Sequence, residues 1–188
     1  IEMTECKIEK ITGKYHTFFT KRFDREGESR IHFASAMTMT GNSEENLRFY
    51  TASYLDIAEF VMNNGANVNE NLHQLWRRIV FNICISNTDD HLRNHGFILT
   101  ENGWILSPAY DLNPSVEKDG LSLNFDMDDN SLDLKLAKSV GIYFRLNDSE
   151  MDAIIVKIQD AVSNWKDIAT EIGISRGEQE LMVGAFRF

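Results

Sequence analysis

The chain has 188 residues, 43% of them apolar, with 29 acidic against 19 basic residues and a formal charge of −10. That length and composition suit one domain with a single packed core. The charge argues against broad binding of nucleic acid or of an anionic membrane surface through this segment, and no uninterrupted apolar run approaches the roughly 18 residues needed to span a bilayer. The two cysteines, Cys6 and Cys84, look unpaired, and no signal peptide is recognisable, so a reducing cytoplasm is expected. Cys84 lies in the apolar run Ile83-Cys84-Ile85 and reads as a buried thiol. The first residue is not Met, and the opening residues carry no cap, so the chain is expected to begin partway through a larger protein.

In chain order, residues 15–22 are aromatic and Thr-rich and read as a strand, with residues 6–11 as its antiparallel partner and Gly13-Lys14 as the turn. Residues 23–28 form a charged turn. Residues 31–40 are expected to hold a short helix, ended by Gly41-Asn42. Residues 51–62 carry Tyr54, Leu55, Ala58, Val61 and Met62 at helical spacing, ended by Asn63-Asn64-Gly65. A second helix is expected over residues 70–85, with Leu72, Leu75, Trp76, Ile79, Val80 and Ile83 on its apolar stripe. Its last turn reads as buried, so the polar residues that follow must find partners. Residues 97–107 are a hairpin with Asn102-Gly103 as its turn, stopped by Pro108. Residues 115–130 are acidic and loop-rich. Helices are expected over residues 132–140 and from an Asn147/Glu150 capping box through Trp165 to Gly173, with the Trp165 stripe as core. Ser175 and Glu178 repeat the capping pattern ahead of Leu181 and Met182.

The chemistry concentrates after the second helix, in Asn87-Thr88-Asp89-Asp90-His91-Leu92-Arg93-Asn94-His95. Sixteen residues on comes Asp111, in Ser107-Pro108-Ala109-Tyr110-Asp111-Leu112. Phosphoryl transfer needs a metal to neutralise phosphate charge and a carboxylate to orient the attacking hydroxyl. Magnesium takes oxygen ligands, often one or two carboxylates completed by phosphates and water. Asn94 and Asp111 suit the metal, Asp89 suits the hydroxyl, and the hairpin would return Asp111 to the side of Asn94. The spacing Asp89-x-x-x-x-Asn94 resembles the catalytic loop of protein kinases, with Asp111 in the place of their metal-binding Asp. The histidine here follows the acid, and Tyr110-Asp111-Leu112 stands where kinases have Asp-Phe-Gly.

With Lys21-Arg22-Phe23-Asp24-Arg25 upstream, the three segments together resemble the HipA-like serine/threonine kinases, toxins of bacterial toxin–antitoxin systems. The resemblance covers most of the chain, weakly in roughly the last 50 residues. It implies a mainly α, α+β fold: a protein-kinase-like C-terminal lobe with a short N-terminal β portion and a hairpin over the site. Residues 1–25 would be a remnant of the N-lobe with the hinge strand, and residues 26–188 the C-terminal kinase lobe. It implies Asp89 as catalytic base and Asn94 and Asp111 as magnesium ligands. Lys21, Arg22 and Phe23 would be the hinge meeting adenine, and His91, Arg93 and Tyr110 would line the ATP site. The implied partners are a protein substrate, an aminoacyl-tRNA synthetase in that family's best-known member, and a DNA-binding antitoxin. The family's phosphate-binding loop and nucleotide-contacting lysine have no candidate in residues 1–20.

Each feature also has a plainer reading. Asp89-Asp90 taken alone could be a helix-capping pair, and residues 21–25 a charged strand end. His91 reads as an orienting histidine rather than a base, and His95 as structural. His91 and His95 have the spacing of a zinc-hydrolase motif, but Leu92 stands where that motif needs its glutamate. The rival functions are a non-catalytic lobe that docks an antitoxin or other partner, and a metal-dependent phosphohydrolase using the same three residues.

Overall fold

The computed structural model describes residues 1–13 and 15–188, so the expected turn residue Lys14 lies outside the described residues. Strand β1 (Cys6–Glu9) pairs antiparallel with β2 (Thr17–Thr20), with Ile8 opposite Phe18. Both strands are exposed along their length. In the charged turn, β3 (Arg25–Glu26) and β4 (Ser29–Arg30) form a two-residue ribbon around Gly27, whose φ of +58° suits a residue without a side chain.

Residues 31–40 depart from the expected helix. Phe33–Ser35 form strand β5, and only Ala36–Met39 form helix α1, capped by the Ser35 hydroxyl. The strand exists because its ladder partner lies some sixty residues downstream, with Phe33 opposite Ile98 and Ser35 opposite Gly96. Local periodicity carries no trace of such a partner.

Helix α2 (Tyr54–Asn64) opens with a capping box between Ser53 and Asp56. It buries Tyr54, Ile57, Ala58, Phe60 and Val61, whereas Met62, expected on the stripe, is exposed. Helix α3 (Val68–Cys84) is the centre of the molecule and packs against α2 and the second strand of the hairpin. Its stripe Leu72, Leu75, Trp76, Ile79, Val80 and Ile83 is buried as expected, and so are the polar residues Asn71, Arg78 and Asn82. The hairpin consists of β6 (Gly96–Thr100) and β7 (Gly103–Leu106), in a sheet of order β5-β6-β7. Thr100 pairs with Gly103, so the turn is Glu101-Asn102, one residue earlier than expected. Gly103 takes a φ of +122°. Asn71 Oδ1 accepts the Leu106 N–H at 2.7 Å, which joins the end of the hairpin to α3.

The acidic stretch after residue 115 has no helix or named strand, yet it buries Leu121, Leu123 and Phe125. Helices α4 (Leu134–Ser139) and α5 (Asp148–Ser163) follow, the latter opened by the expected Asn147/Glu150 capping box and packed on α3. The single long helix expected to Gly173 is broken at Asn164, where α6 (Trp165–Glu171) begins. The Ser163 hydroxyl and the Asn164 amide both donate to the Asp160 carbonyl at 2.8 Å, a local bonding pattern that competes with the helical ladder. Trp165 stacks on Phe186 at 4.1 Å, while Ala161 and Ile168 are exposed rather than core. Helix α7 (Arg176–Met182) opens with the expected Ser175/Glu178 box. Among the described residues no helix is long and apolar enough to cross a membrane.

Candidate active site

The polar stretch leaves the buried end of α3 through Ser86, a buried residue with φ +50°. Its partners are close at hand. The Asn87 N–H donates to the Asn82 carbonyl at 2.8 Å, and the Asn87 amide donates to Asn82 Oδ1 at 3.1 Å. The Thr88 carbonyl accepts the Ser122 hydroxyl at 2.8 Å. The Asn94 amide donates to the Asp89 carbonyl at 3.0 Å, and its N–H to the His91 carbonyl at 2.8 Å. Leu92 and His95 offer their carbonyls to the N–H groups of Met37 and Ala36 at 3.2 and 2.8 Å. The backbone is thus held on both sides of Asp89, while the Asp89 carboxylate stays exposed to solvent.

Asp90 has the opposite environment. Its carboxylate is 1% exposed, and Oδ2 accepts from Tyr54 Oη at 2.6 Å and Asn82 Nδ2 at 2.7 Å, and pairs with His95 Nε2 at 3.0 Å. Arg78 is equally buried and donates to the Ser107 carbonyl. Burial pulls its guanidinium down to about 10, against the opposing field of Asp90, so it remains charged at neutral pH.

The hairpin returns the chain as expected. The Ser107 N–H donates to the Gly96 carbonyl at 2.8 Å, and Ala109 is bridged to Met3 with its N–H on the Glu2 carbonyl at 2.8 Å. Tyr110 donates its hydroxyl to the Arg93 carbonyl at 2.7 Å. Burial raises that phenol far above its ordinary range, so it stays a donor. The Tyr110 ring lies 5.6 Å from Phe23 and 6.3 Å from Phe33, and Phe23 lies 5.5 Å from Phe33. Gly96 permits this cluster, because a Cβ there would stand 2.2 Å from the Phe33 ring. Asp111 is exposed, with φ +56°, and accepts the Asn113 amide at 2.7 Å.

The fold therefore links Phe23, Tyr110, Arg93, Asn94 and Asp89 through successive contacts, with Asp111 next to Tyr110. Arg93 is exposed and pairs its side chain with Glu44. His91 is half-buried beside Asn94. The side chains of Lys21 and Arg22 turn elsewhere: Lys21 pairs with Glu5 at 3.3 Å, and Arg22 grips Asp24 at 2.6 Å. The Arg22 guanidinium holds the Asp24 carboxyl down to about 2. A carboxyl depressed on folding adds stability that is present above about pH 4 and fades as pH falls toward 2. Arg22 is exposed, so the gain is small. Carbon NMR of Asp24 is expected to give a midpoint near 2, moving up toward the usual carboxylate range in Arg22→Ala.

No three His, Cys, Asp or Glu side chains cluster as a ready metal cage among the described residues. His95 is committed to Asp90, which leaves the zinc reading without its pair. Magnesium is a different case. With its Nδ2 on the Asp89 carbonyl, Asn94 keeps Oδ1 available as an oxygen donor, and the Asp111 carboxylate is in solvent. Such a sparse oxygen set fits a cation that arrives with phosphates and waters.

Tyr54, Arg78, Asn82 and Asp90 were not legible as site residues from motif spacing. A signal for two of them did exist. Asn71, Arg78 and Asn82 share the stripe of α3 with Leu75, at steps of four, three and four residues, and polar residues on a buried stripe imply built partners.

This α+β arrangement of helices and small sheets has a close counterpart among solved structures. The HipA toxin–antitoxin complex of Shewanella oneidensis MR-1, solved with HipB and its operator DNA, superposes with a TM-score of 0.73 at 19% identity, over 97% of this chain and 49% of that one. The sequence profile of the HipA-like C-terminal domain matches residues 1–165, and the chain belongs to that family. A Haemophilus influenzae protein named "Putative kinase" is 29% identical over 105 residues, which is 52% of this chain and 31% of that protein. The chain thus spans about half or less of the length of these relatives.

Proposed function

We propose that this chain is the larger, mainly helical lobe of a HipA-like serine/threonine protein kinase that uses ATP and magnesium. The observation that supports this best is the construction around Asp89: a solvent-facing carboxylate on a backbone held from both sides, with Asn94 bonded to its carbonyl. In this reading Asp89 orients a serine or threonine hydroxyl and takes its proton as the new O–P bond forms and the bond from the γ-phosphorus to the ADP oxygen breaks. Asn94 Oδ1 and the Asp111 carboxylate would hold magnesium, which when bound neutralises the phosphate charge. The Phe23 and Tyr110 rings would present an apolar wall to adenine, with Lys21 and Arg22 contributing backbone groups and His91 and Arg93 at the nucleotide's edge. The likeness to a toxin solved with an antitoxin and operator DNA supports a DNA-binding antitoxin as the partner, with a cellular protein, such as an aminoacyl-tRNA synthetase, as substrate. A reducing cytoplasm fits that pairing.

The test is incubation of the full-length protein with magnesium and ATP labelled on the γ-phosphate. The expected result is label on serine or threonine of a protein acceptor. Release of inorganic phosphate with no labelled protein would replace this reading with a phosphohydrolase. No nucleotide-dependent rise in melting temperature would replace it with a non-catalytic docking lobe.

A further inference from the structure

We infer that Asp90 is the positioning residue of the catalytic loop, fixing the direction of the neighbouring Asp89 through a buried three-donor contact. This rests on the phosphoryl-transfer reading for its consequence, but not for its geometry. One carboxylate oxygen gathers donors from three places: Tyr54 on α2, Asn82 on α3, and His95 at the entry to β6. Tyr54 is fixed as a donor, because burial and the adjacent Asp90 push its phenol well above its usual range. Asn82 cannot reverse its amide, because its Oδ1 already accepts from Asn87. His95 is held edge-on to the Tyr54 ring at 5.9 Å.

Buried carboxylates are costly, and apolar replacements of equal volume often stabilise a core. What a carboxylate supplies and a leucine does not is direction. Each donor restricts the Asp90 carboxylate from a different element, so the peptide joining Asp89 to Asp90 has one orientation relative to α2 and α3. The field of Asp90 favours the charged form of the buried Arg78, whose own hydrogen bond runs to the Ser107 carbonyl, four residues before Asp111. The buried acid and the buried base therefore each serve one of the two loops that carry the candidate chemistry. The exposed half of the site is set by an unexposed half.

The decisive variant is Asp90→Asn in the full-length protein. An amide can still offer one oxygen to the three donors, but as a neutral acceptor it holds them more weakly than the charged carboxylate, and its NH₂ stands where Oδ1 has no hydrogen-bond partner. Phosphoryl transfer is expected to lose roughly 10- to 100-fold in kcat, the scale of a displaced reacting group, with the KM for ATP changed less than about twofold. Amide hydrogen exchange is expected to quicken over residues 87–95 and not in α5. Tyr54→Phe removes a single donor and is expected to shift both readouts the same way by less. If Asp90→Asn does not fold, Tyr54→Phe decides by the same two measurements. Unchanged loop exchange in a folded variant overturns the inference, as does unchanged kcat where the wild type is active. A wild type that transfers no phosphate refutes the kinase reading instead, and loop exchange still decides the role of Asp90.

Discussion

Replacing Asp89 by Asn is expected to lower phosphoryl transfer by on the order of 10²–10⁴-fold, the contribution of a positioned general base, with no measurable change in melting temperature. The two halves of that result have separate causes. The rate falls because an amide cannot take the hydroxyl proton. Stability is spared because the Asp89 side chain is exposed and makes no hydrogen bond among the described residues. Asn94 is bonded to the Asp89 backbone carbonyl, which the substitution leaves in place. Substitutions at such surface positions usually stay within about 0.5 kcal/mol. Initial rates at saturating magnesium-ATP and a thermal melt of the same preparation check both. Wild-type transfer by a folded Asp89→Asn protein would falsify the assignment.

Trp76→Ala is expected to cost about 3–5 kcal/mol, the range for removing a large aromatic from a packed core. Trp76 has no exposed surface and sits mid-helix in α3, with its indole N–H donating to the Ala137 carbonyl at 3.3 Å. The substitution leaves a void between α3 and α4 and removes that carbonyl's donor. For a chain of this size such a loss lowers the melting temperature by about 6–20 °C. Domains hold only about 5–15 kcal/mol in total, so the variant stands near the edge of folding. A thermal melt followed by near-ultraviolet dichroism checks this, and a drop of only a degree or two would contradict the central place of α3.

Both outcomes bear on what the amino-acid order reveals. Helices α2, α3, α5 and α7 could be read because their signals are local: the apolar stripes of α2, α3 and α5, and the Asn147/Glu150 and Ser175/Glu178 boxes that open α5 and α7. The hairpin was legible from its Asn102-Gly103 signal, although the turn itself falls one residue earlier, and the stretch from Asn87 to His95 from its motif. Strand β5 was not, because Phe33 and Ala34 look the same in isolation whether or not Ile98 and Phe97 lie alongside. The break at Asn164 escaped because side-chain bonds to Asp160, not an apolar gap, end α5. Within the candidate site, the spacing of Asp89, Asn94 and Asp111 pointed to two exposed acids and the buried Asn94. Their buried support was hidden, since Tyr54 lies thirty-six residues away from Asp90 in sequence and reads as one more aromatic on a stripe.

One contact carries a temporal consequence. Arg187 donates its backbone N–H to the Cys84 carbonyl at 2.7 Å and its side-chain Nε to Ser86 Oγ at 2.8 Å, across 101 residues of sequence. At about 5–20 residues per second on the ribosome, that brace arrives roughly 5–20 s after the residues it braces. While the chain is being made, the polar stretch emerges without its lower clasp, and it tightens only when distant sequence has left the exit tunnel. The newborn polypeptide therefore carries Cys84 and Ser86 without these two hydrogen bonds until Arg187 has been made.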